Sequence, residues 1–293
     1  MEFAMLRFVI CLVGCTAATY YDLFNKRNVP TWLTYALVAI GALFTLASLS
    51  ISVITQNFLI AIAIFVLGYL LYRAGQIGGA DVLVFISIAL LLPEAPAPLL
   101  STTAPHLEFP FVLSVFTLSG MLGVFGIFLK YVPMTLYEFL RGEKIRISRA
   151  QAGLAVATLL VYTIFLYYLN SIVELPQVQL IIFLAVVVCA TSLFTLKDHI
   201  SEKHMIRMVG VDEIDEEDIL AVEKMDQKVV SKYKLDKLLT PSEIDKLRKM
   251  GKKKKFPVYK EMPVFMPYVL IALLAALLFG DPLAYLYPLG IMP

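Results

Sequence analysis

Two aspartates stand at the edges of apolar segments, where an ionisable side chain is costly. Asp22 ends the first hydrophobic run, in Tyr20-Tyr21-Asp22-Leu23, and Asp81 begins the fourth, in Gly78-Gly79-Ala80-Asp81-Val82. Carboxyl groups in or beside a membrane helix usually mark a functional site. Two carboxyl groups held close together share a proton, so one can activate water while the other protonates a carbonyl oxygen. The pair predicts hydrolysis of a peptide bond at Asp22 and Asp81 without a metal, a cofactor or a covalent intermediate.

The three residues before Asp81 are small. Glycine allows backbone conformations that are closed to other residues, and it lets a second backbone approach closely. A peptide must be extended to be cleaved, so we expect the backbone of Gly78, Gly79 and Ala80 to lie along an extended substrate. Taken alone, Gly78-Gly79 would more simply begin a helix. The matching aspartate at position 22 favours the functional interpretation.

The composition is typical of a membrane protein. Of the 293 residues, 59% are hydrophobic and only 16% are charged, and the mean hydropathy is +0.80. A soluble domain carries about a quarter charged residues, and a spanning helix needs about 20 apolar residues. The sequence predicts an all-α, polytopic membrane protein with about eight transmembrane helices. Their expected ranges are 3–21, 31–50, 56–73, 78–92, 109–131, 152–169, 178–196 and 263–280.

Basic residues indicate how these helices are oriented. The chain has 25 Lys and Arg residues, and all except Arg7 lie in or beside the connecting segments of one side. The positive-inside rule places that side in the cytoplasm and both termini outside the cell membrane. Asp22 then ends an outside-to-inside helix and Asp81 begins an inside-to-outside helix. Both carboxyl groups are expected at the cytoplasmic face, whereas Asp281, after the last span, is expected outside and is interpreted as noncatalytic.

Residues 197–262 form the one long polar segment and are predicted to be a small cytoplasmic helical insert, called the insert below. Thr240-Pro241-Ser242-Glu243 is a capping-box sequence that predicts a helix over 241–250, ended by Gly251. Apolar residues at helical spacing predict a further amphipathic helix before it. These residues are Ile219, Val222, Met225, Val229 and Tyr233.

Three regions follow from this division of the chain. Residues 1–196 are transmembrane helices that include a catalytic core at 1–93, residues 197–262 are the insert, and residues 263–293 are the final span with an outside tail. Pro133 is expected to end the fifth span before a short interfacial helix over 134–141.

Other chemistry-bearing residues are interpreted as structural. Cys11, Cys15 and Cys189 lie in apolar runs without a CxxC pair, so they predict packing and not a zinc site or a disulfide framework. The histidines are interpreted as surface or capping residues. They are His106, His199 and His204.

The chain resembles the archaeal prepilin and preflagellin peptidases, membrane aspartyl proteases named for a Gly-x-Gly-Asp motif. The resemblance rests on Asp22 followed by Asn25-Lys26-Arg27-Asn28-Val29-Pro30, on Gly78-Gly79-Ala80-Asp81, and on a late insert that exits through 256–263. A final span ending Phe279-Gly280-Asp281 adds to it. It covers residues 1–93 well and about 240–281 moderately. It implies an endopeptidase that removes short basic leader peptides from pilin-like or archaellin precursors, with Asp22 and Asp81 as catalytic residues.

Two features depart from that family pattern. Ala80 replaces the second motif glycine, and the spans at 152–196 are additional to the six expected of preflagellin enzymes. The paired CxxC zinc insert of the bacterial relatives is absent from the sequence. The resemblance implies a substrate with a basic leader and an apolar helix in the lipid bilayer, and no nucleic-acid partner.

Three alternatives remain at this level. A presenilin-like intramembrane aspartyl protease shares the Tyr21-Asp22 pair, but its two aspartates lie on consecutive helices. A proton-coupled transporter also uses membrane carboxylates, although transporters usually carry inverted repeats, and none stands out here. A noncatalytic membrane scaffold would give the paired aspartates no function.

Overall fold

The structure is a computed structural model that describes residues 3–25, 28–94, 110–173, 175, 177–216, 218–251 and 254–279. Eight apolar helices lie within these residues. They are α1 (Ala4–Phe24), α2 (Thr31–Leu46), α3 (Ile51–Arg73), α4 (Gly79–Leu91), α5 (Phe111–Leu140), α6 (Arg149–Val173), α7 (Gln177–Ile200) and α10 (Met266–Phe279). Each overlaps one predicted span, and the prediction of a helical, polytopic membrane protein is confirmed.

Length separates these helices into two groups. Within the described residues, α1, α3, α5, α6 and α7 are long and apolar enough to cross a membrane, whereas α2, α4 and α10 are apolar but shorter. Helix length alone therefore does not decide whether all eight helices span the membrane, and the number of eight spans stays a prediction.

Helix α4 lies at the centre of the bundle. It packs against α1, α2, α3 and α5, and Val84, Phe85, Ile88 and Ala89 are at most 1% exposed. A helix that is apolar on all faces is buried on all faces, and α4 has this composition. Helix α10 fills the space between α1 and α5. The short helix α4 thus forms the interior of the bundle, on which its neighbours pack.

The insert contains a sheet as well as helices, so the prediction that it is helical is wrong in this respect. Strands β1 (Ile206–Gly210), β2 (Ile219–Leu220) and β3 (Lys255–Tyr259) form an antiparallel sheet in the order β1-β3-β2. Two short helices follow β2 in the chain. They are α8 (Gln227–Tyr233) and α9 (Pro241–Lys249).

One predicted helix of the insert is confirmed and the other is corrected. Thr240 accepts a hydrogen bond from the Glu243 N–H at the start of α9, and Gly251 follows it with φ +127°. The run from Ile219 to Tyr233 is not one helix but β2, a 3₁₀ turn and α8. Its apolar side chains pack with Phe256 and Val258 of β3, a contact distant in sequence that the helical spacing did not reveal.

A second correction concerns Pro133, which lies inside α5 and does not end it. The helix continues to Leu140, so residues 134–140 extend the fifth span instead of forming a separate interfacial helix. The extension places Glu138 beside the end of α7, where its carboxylate contacts His199.

Candidate active site

Asp22 lies in the last turn of α1 and faces the interior of the bundle. Cys11, Cys15 and Ala18 precede it on the same buried stripe at helical spacing, and Asp22 itself is 7% exposed. Its Oδ2 atom accepts hydrogen bonds from the backbone N–H groups of Phe265 and Met266, at 3.2 and 3.1 Å. The carboxylate is therefore held by the start of α10.

Asp81 lies in the first turn of α4 and is 9% exposed. Its Oδ2 atom accepts the backbone N–H of Gly78 at 2.9 Å. This is the contact that an acidic residue at the third helical position makes with the residue before the helix. Because Gly78 has no side chain, the backbone contact alone fixes the carboxylate. A Cβ atom on Gly78 would lie 3.2 Å from Oδ2 of Asp81, so glycine keeps this approach open.

The fold brings the two aspartates to the same end of the bundle, as the topology predicts. The C-terminal end of α1 carries Asp22, the N-terminal end of α4 carries Asp81, and the two helices pack against each other. The two side chains therefore lie at the same end of two neighbouring helices. The assignment of Asp22 and Asp81 as catalytic residues stays a prediction.

Aromatic side chains surround this end of α4. The ring of Phe265 lies 6.3 Å from that of Phe85, which contacts Phe116 at 5.1 Å. On the other side, the ring of Tyr72 lies beside Gly79. The rings add apolar surface beside the helix starts that carry Gly79 and Met266.

Sequence reasoning missed the amide groups of Phe265 and Met266. Backbone donors have no residue signature, yet one signal was available. The first N–H groups of any helix lack partners within it, and α10 begins in an apolar segment with no capping side chain beside it in sequence. A buried carboxylate from elsewhere in the chain was a natural acceptor for them.

The histidine interpretation is wrong for His199, which is buried in an ionic cluster. Its Nε2 atom lies 2.8 Å from Oε2 of Glu138, whereas Oε1 of Glu138 lies 3.0 Å from Nζ of Lys203 and 3.1 Å from Nε2 of His204. Glu138 is 7% exposed. The sequence around His199 did not reveal this cluster, because Glu138 lies far away in α5, and Lys203 and His204 lie in the short segment after α7. His106 lies outside the described residues, as does Asp281.

Metal and thiol chemistry were also considered. Among the residues that the structure describes, no group of three or more His, Cys, Asp and Glu side chains is arranged to hold a metal ion. Cys11, Cys15 and Cys189 are buried free thiols, in accord with a packing role. The expectation that the site uses no cofactor stays a prediction.

Comparison with known proteins bears on the region that carries both aspartates. Residues 9–129 match the type IV leader peptidase family. The chain is 28% identical over 146 residues to the prepilin peptidase EppA of Methanothermobacter thermautotrophicus, and the alignment covers 47% of this chain and 37% of that protein. No solved structure matches the chain. The resemblance predicted from the aspartate motifs is thereby confirmed: residues 9–129, which carry both aspartates, are similar to the type IV leader peptidase family, and the chain spans about a third of the length of the curated relative that it matches.

Proposed function

We propose that this protein is an aspartic endopeptidase that removes short basic leader peptides from type IV pilin-like or archaellin precursors at the cytoplasmic face of the cell membrane. One observation carries the proposal. Two buried carboxyl groups, Asp22 and Asp81, stand at the same end of the bundle on two helices that pack against each other. The family match covers both residues.

The hydrogen bonds restrict where a shared proton can sit. Oδ2 of Asp22 accepts two backbone N–H groups, and Oδ2 of Asp81 accepts one. An oxygen that accepts such donors is a poor site for a further proton. In this proposal the shared proton is carried by an Oδ1 atom.

The proposed reaction uses that proton directly. The ionised carboxyl group takes a proton from water, and the water oxygen attacks the carbonyl carbon of the scissile peptide bond. The protonated carboxyl group gives its proton to the carbonyl oxygen, which forms a neutral diol. The carboxyl group that took the proton from water then gives it to the leaving nitrogen, and the other carboxylate takes a proton back from a hydroxyl group of the diol as the C–N bond breaks. The products are a carboxylic acid and an amine, and the pair again holds one proton.

The orientation and substrate path are parts of the same proposal. The Lys- and Arg-rich insert lies at the aspartate end of the bundle, because Ile219 of β2 contacts Gly75 in the loop before α4. By the positive-inside rule this end faces the cytoplasm. A basic leader would reach the site from there, and the apolar helix behind it would remain in the bilayer. Gly78-Gly79 would then lie along the extended cleavage segment.

The test uses detergent-solubilised protein, a pilin-like precursor and mass spectrometry of the products. Asp22→Asn and Asp81→Asn keep a side-chain oxygen that can accept the same backbone N–H groups, so both variants should fold. Each should lose cleavage by at least about a hundredfold, because the acid–base groups are removed. Asp245→Asn, at an exposed position of α9, is the matched control and should cleave normally.

The outcomes separate the alternatives. A transporter or a scaffold would give no shortened product from the unchanged protein. A presenilin-like protease would cleave within the apolar helix of the precursor and not at the end of its basic leader. Normal cleavage by either Asp→Asn variant would exclude the aspartate pair as the catalytic group.

A further inference from the structure

The sheet of the insert contacts the segment that precedes Asp81. Gly75 lies in the loop between α3 and α4, with φ +70°. A Cβ atom there would meet Cδ1 of Ile219, in β2, at 3.1 Å. Only residues 76 and 77 separate Gly75 from Gly78, whose N–H binds Asp81. Strand β2 therefore packs directly against the backbone that fixes the second aspartate.

A second contact joins the same loop to the insert. Nη2 of Arg73, at the end of α3, lies 3.0 Å from Oδ2 of Asp236. The chain beside Asp236 is itself bonded to β2, since the Leu220 N–H donates to the Lys237 carbonyl at 2.7 Å. The Arg73 and Asp236 side chains are about half exposed, at 48% and 50%. Exposed ion pairs contribute little, so the apolar contact of Ile219 is the stronger link.

The same sheet is also connected along the chain to the backbone amides that bind Asp22. Strand β3 ends at Tyr259, and residues 260–265 connect it to α10. The N–H groups of Lys260 and Glu261 donate to the Met205 carbonyl at 3.1 and 3.2 Å, which fastens the start of this connection. The connection ends at the amides of Phe265 and Met266 on Asp22.

Strands β2 and β3 are neighbours in the sheet. The contact with the loop before Asp81 and the connection to Asp22 therefore both begin at this sheet. Ile219 is paired with Tyr259, and Leu220 with Val258. Leu220 and Val258 are fully buried in the core of the insert. The residue that touches the Asp81 loop is thus paired with the last strand residue before the connection to Asp22.

We propose that this sheet is a clamp that sets the position of Asp81 relative to Asp22, with Ile219 as a positioning residue. The inference rests on the proposed function, because it assigns the insert a role in that same site. A misplacement of about 1 Å at a catalytic group can lower a rate about a hundredfold. Loss of the clamp therefore reduces kcat, while substrate binding along the membrane helices, and hence KM, changes little.

The experiment places a methyl group between the loop and the sheet. Gly75→Ala should lower kcat about tenfold with little change in KM, because its Cβ displaces either Ile219 or the loop. Gly142→Ala is the matched control, since Gly142 has a similar φ of +83° but nothing within 4 Å of the added Cβ. It should retain the kcat of the unchanged protein. Equal kcat values for the two variants would overturn the clamp.

A compensating substitution tests the contact itself. Ile219→Val deletes Cδ1, the atom nearest to the added methyl group, and leaves Cγ2 at an ordinary 3.5 Å. The double variant Gly75→Ala/Ile219→Val should recover kcat to within about threefold of Ile219→Val alone. Failure to recover would show that Gly75→Ala acts through its backbone and not through Ile219, which contradicts the proposal.

A further variant keeps the test decisive if Gly75→Ala does not fold. Ile219→Ala removes the contact without backbone strain and should also lower kcat, with KM and the thermal unfolding temperature near their original values. A fall in the unfolding temperature with kcat retained would indicate a purely structural role and overturn the clamp. Asp22→Asn is assayed alongside. If it still cleaves, the proposed function fails; if it is inactive and Ile219→Ala retains full kcat, only the clamp fails.

Discussion

Oδ2 of Asp22 accepts the backbone N–H of Met266 at 3.1 Å, which ties the end of α1 to the start of α10. The contact satisfies two needs at once. The first N–H groups of α10 require acceptors, and a carboxylate at a helix N-terminus is favoured by the helix dipole. The hydroxyl of Thr19 also donates to the Met266 carbonyl at 3.2 Å. Helix α10 is thus part of the candidate active site.

Removal of the Met266 N–H tests this relationship. Met266 is the first residue of α10, a position at which proline is tolerated because its missing N–H has no partner in the helix. Met266→Pro should lower kcat by about tenfold to a hundredfold relative to Met266→Ala, since a hydrogen bond to a charged group contributes about 1.5–3 kcal/mol. Both variants lose the buried methionine side chain, so their ratio isolates the N–H. Equal kcat values would exclude a role for this donor.

The glycines before Asp81 should differ in their tolerance of a side chain. Gly78 has φ −76° and ψ 154°, which alanine also adopts, but its Cβ would lie 3.2 Å from Oδ2 of Asp81. On Gly79 a Cβ would meet the Tyr72 ring at an ordinary 3.4 Å. We expect Gly78→Ala to lower kcat about tenfold, and Gly79→Ala to lower it less. Steady-state cleavage rates check this order, and a larger loss for Gly79→Ala would contradict it.

Local patterns in the sequence predicted those features whose physical causes are themselves local. Runs of apolar residues located the eight apolar helices found in the described part of the chain, and the capping residues Thr240 and Gly251 located the ends of α9. The meeting of Asp22 and Asp81 followed from helix parity, because an intervening hairpin returns the chain to the same side. Neither prediction needed knowledge of tertiary contacts.

The missed features all depend on partners distant in the chain. Strand β1 pairs with β3 across the whole insert, and short paired strands have little periodicity of their own. The carboxylate of Glu138 is explained by His199, Lys203 and His204, more than 60 residues later in the chain. The amides on Asp22 are 243 and 244 residues away and have no residue type to mark them. Tertiary packing decided each of these.

Glu138 should be important for stability. Its carboxylate hydrogen-bonds to the His199 ring and lies within 3.1 Å of side-chain nitrogens of Lys203 and His204, and its side chain is only 9% exposed. Glu138→Gln removes the charge that pairs with Lys203 and should destabilise the fold by about 1–3 kcal/mol, because a hydrogen bond to a charged group contributes about that much. Glu143→Gln is the control, since Glu143 also pairs with Lys203 but is 49% exposed. Unfolding in detergent measures both, and equal losses would contradict the prediction.

Alkaline pH should weaken the sheet beside the connection to α10. Burial, and then the hydrogen bond to the Glu223 carboxylate, raises the pKa of the Tyr259 phenol well above its usual value of about 10. A neighbouring group acts in the same direction: burial lowers the pKa of Lys260, but Asp218 and Asp215 more than offset this, so its pKa is raised above 10.5. Both residues adjoin the end of β3.

For both groups, the free energy of unfolding decreases as the pH rises. The unfolded chain ionises Tyr259 above pH about 10, whereas the folded chain keeps it neutral, so stability falls as pH rises past that value. The ion pairs of Lys260 are complete below pH 10.5 and are lost as pH rises through the raised pKa of the folded state. Tyr259→Phe removes one of the two contributions, so its alkaline loss of stability should begin at a higher pH. Unfolding followed from pH about 8 to about 11.5 measures the shift, and coincident curves for the two proteins would show that Tyr259 does not contribute.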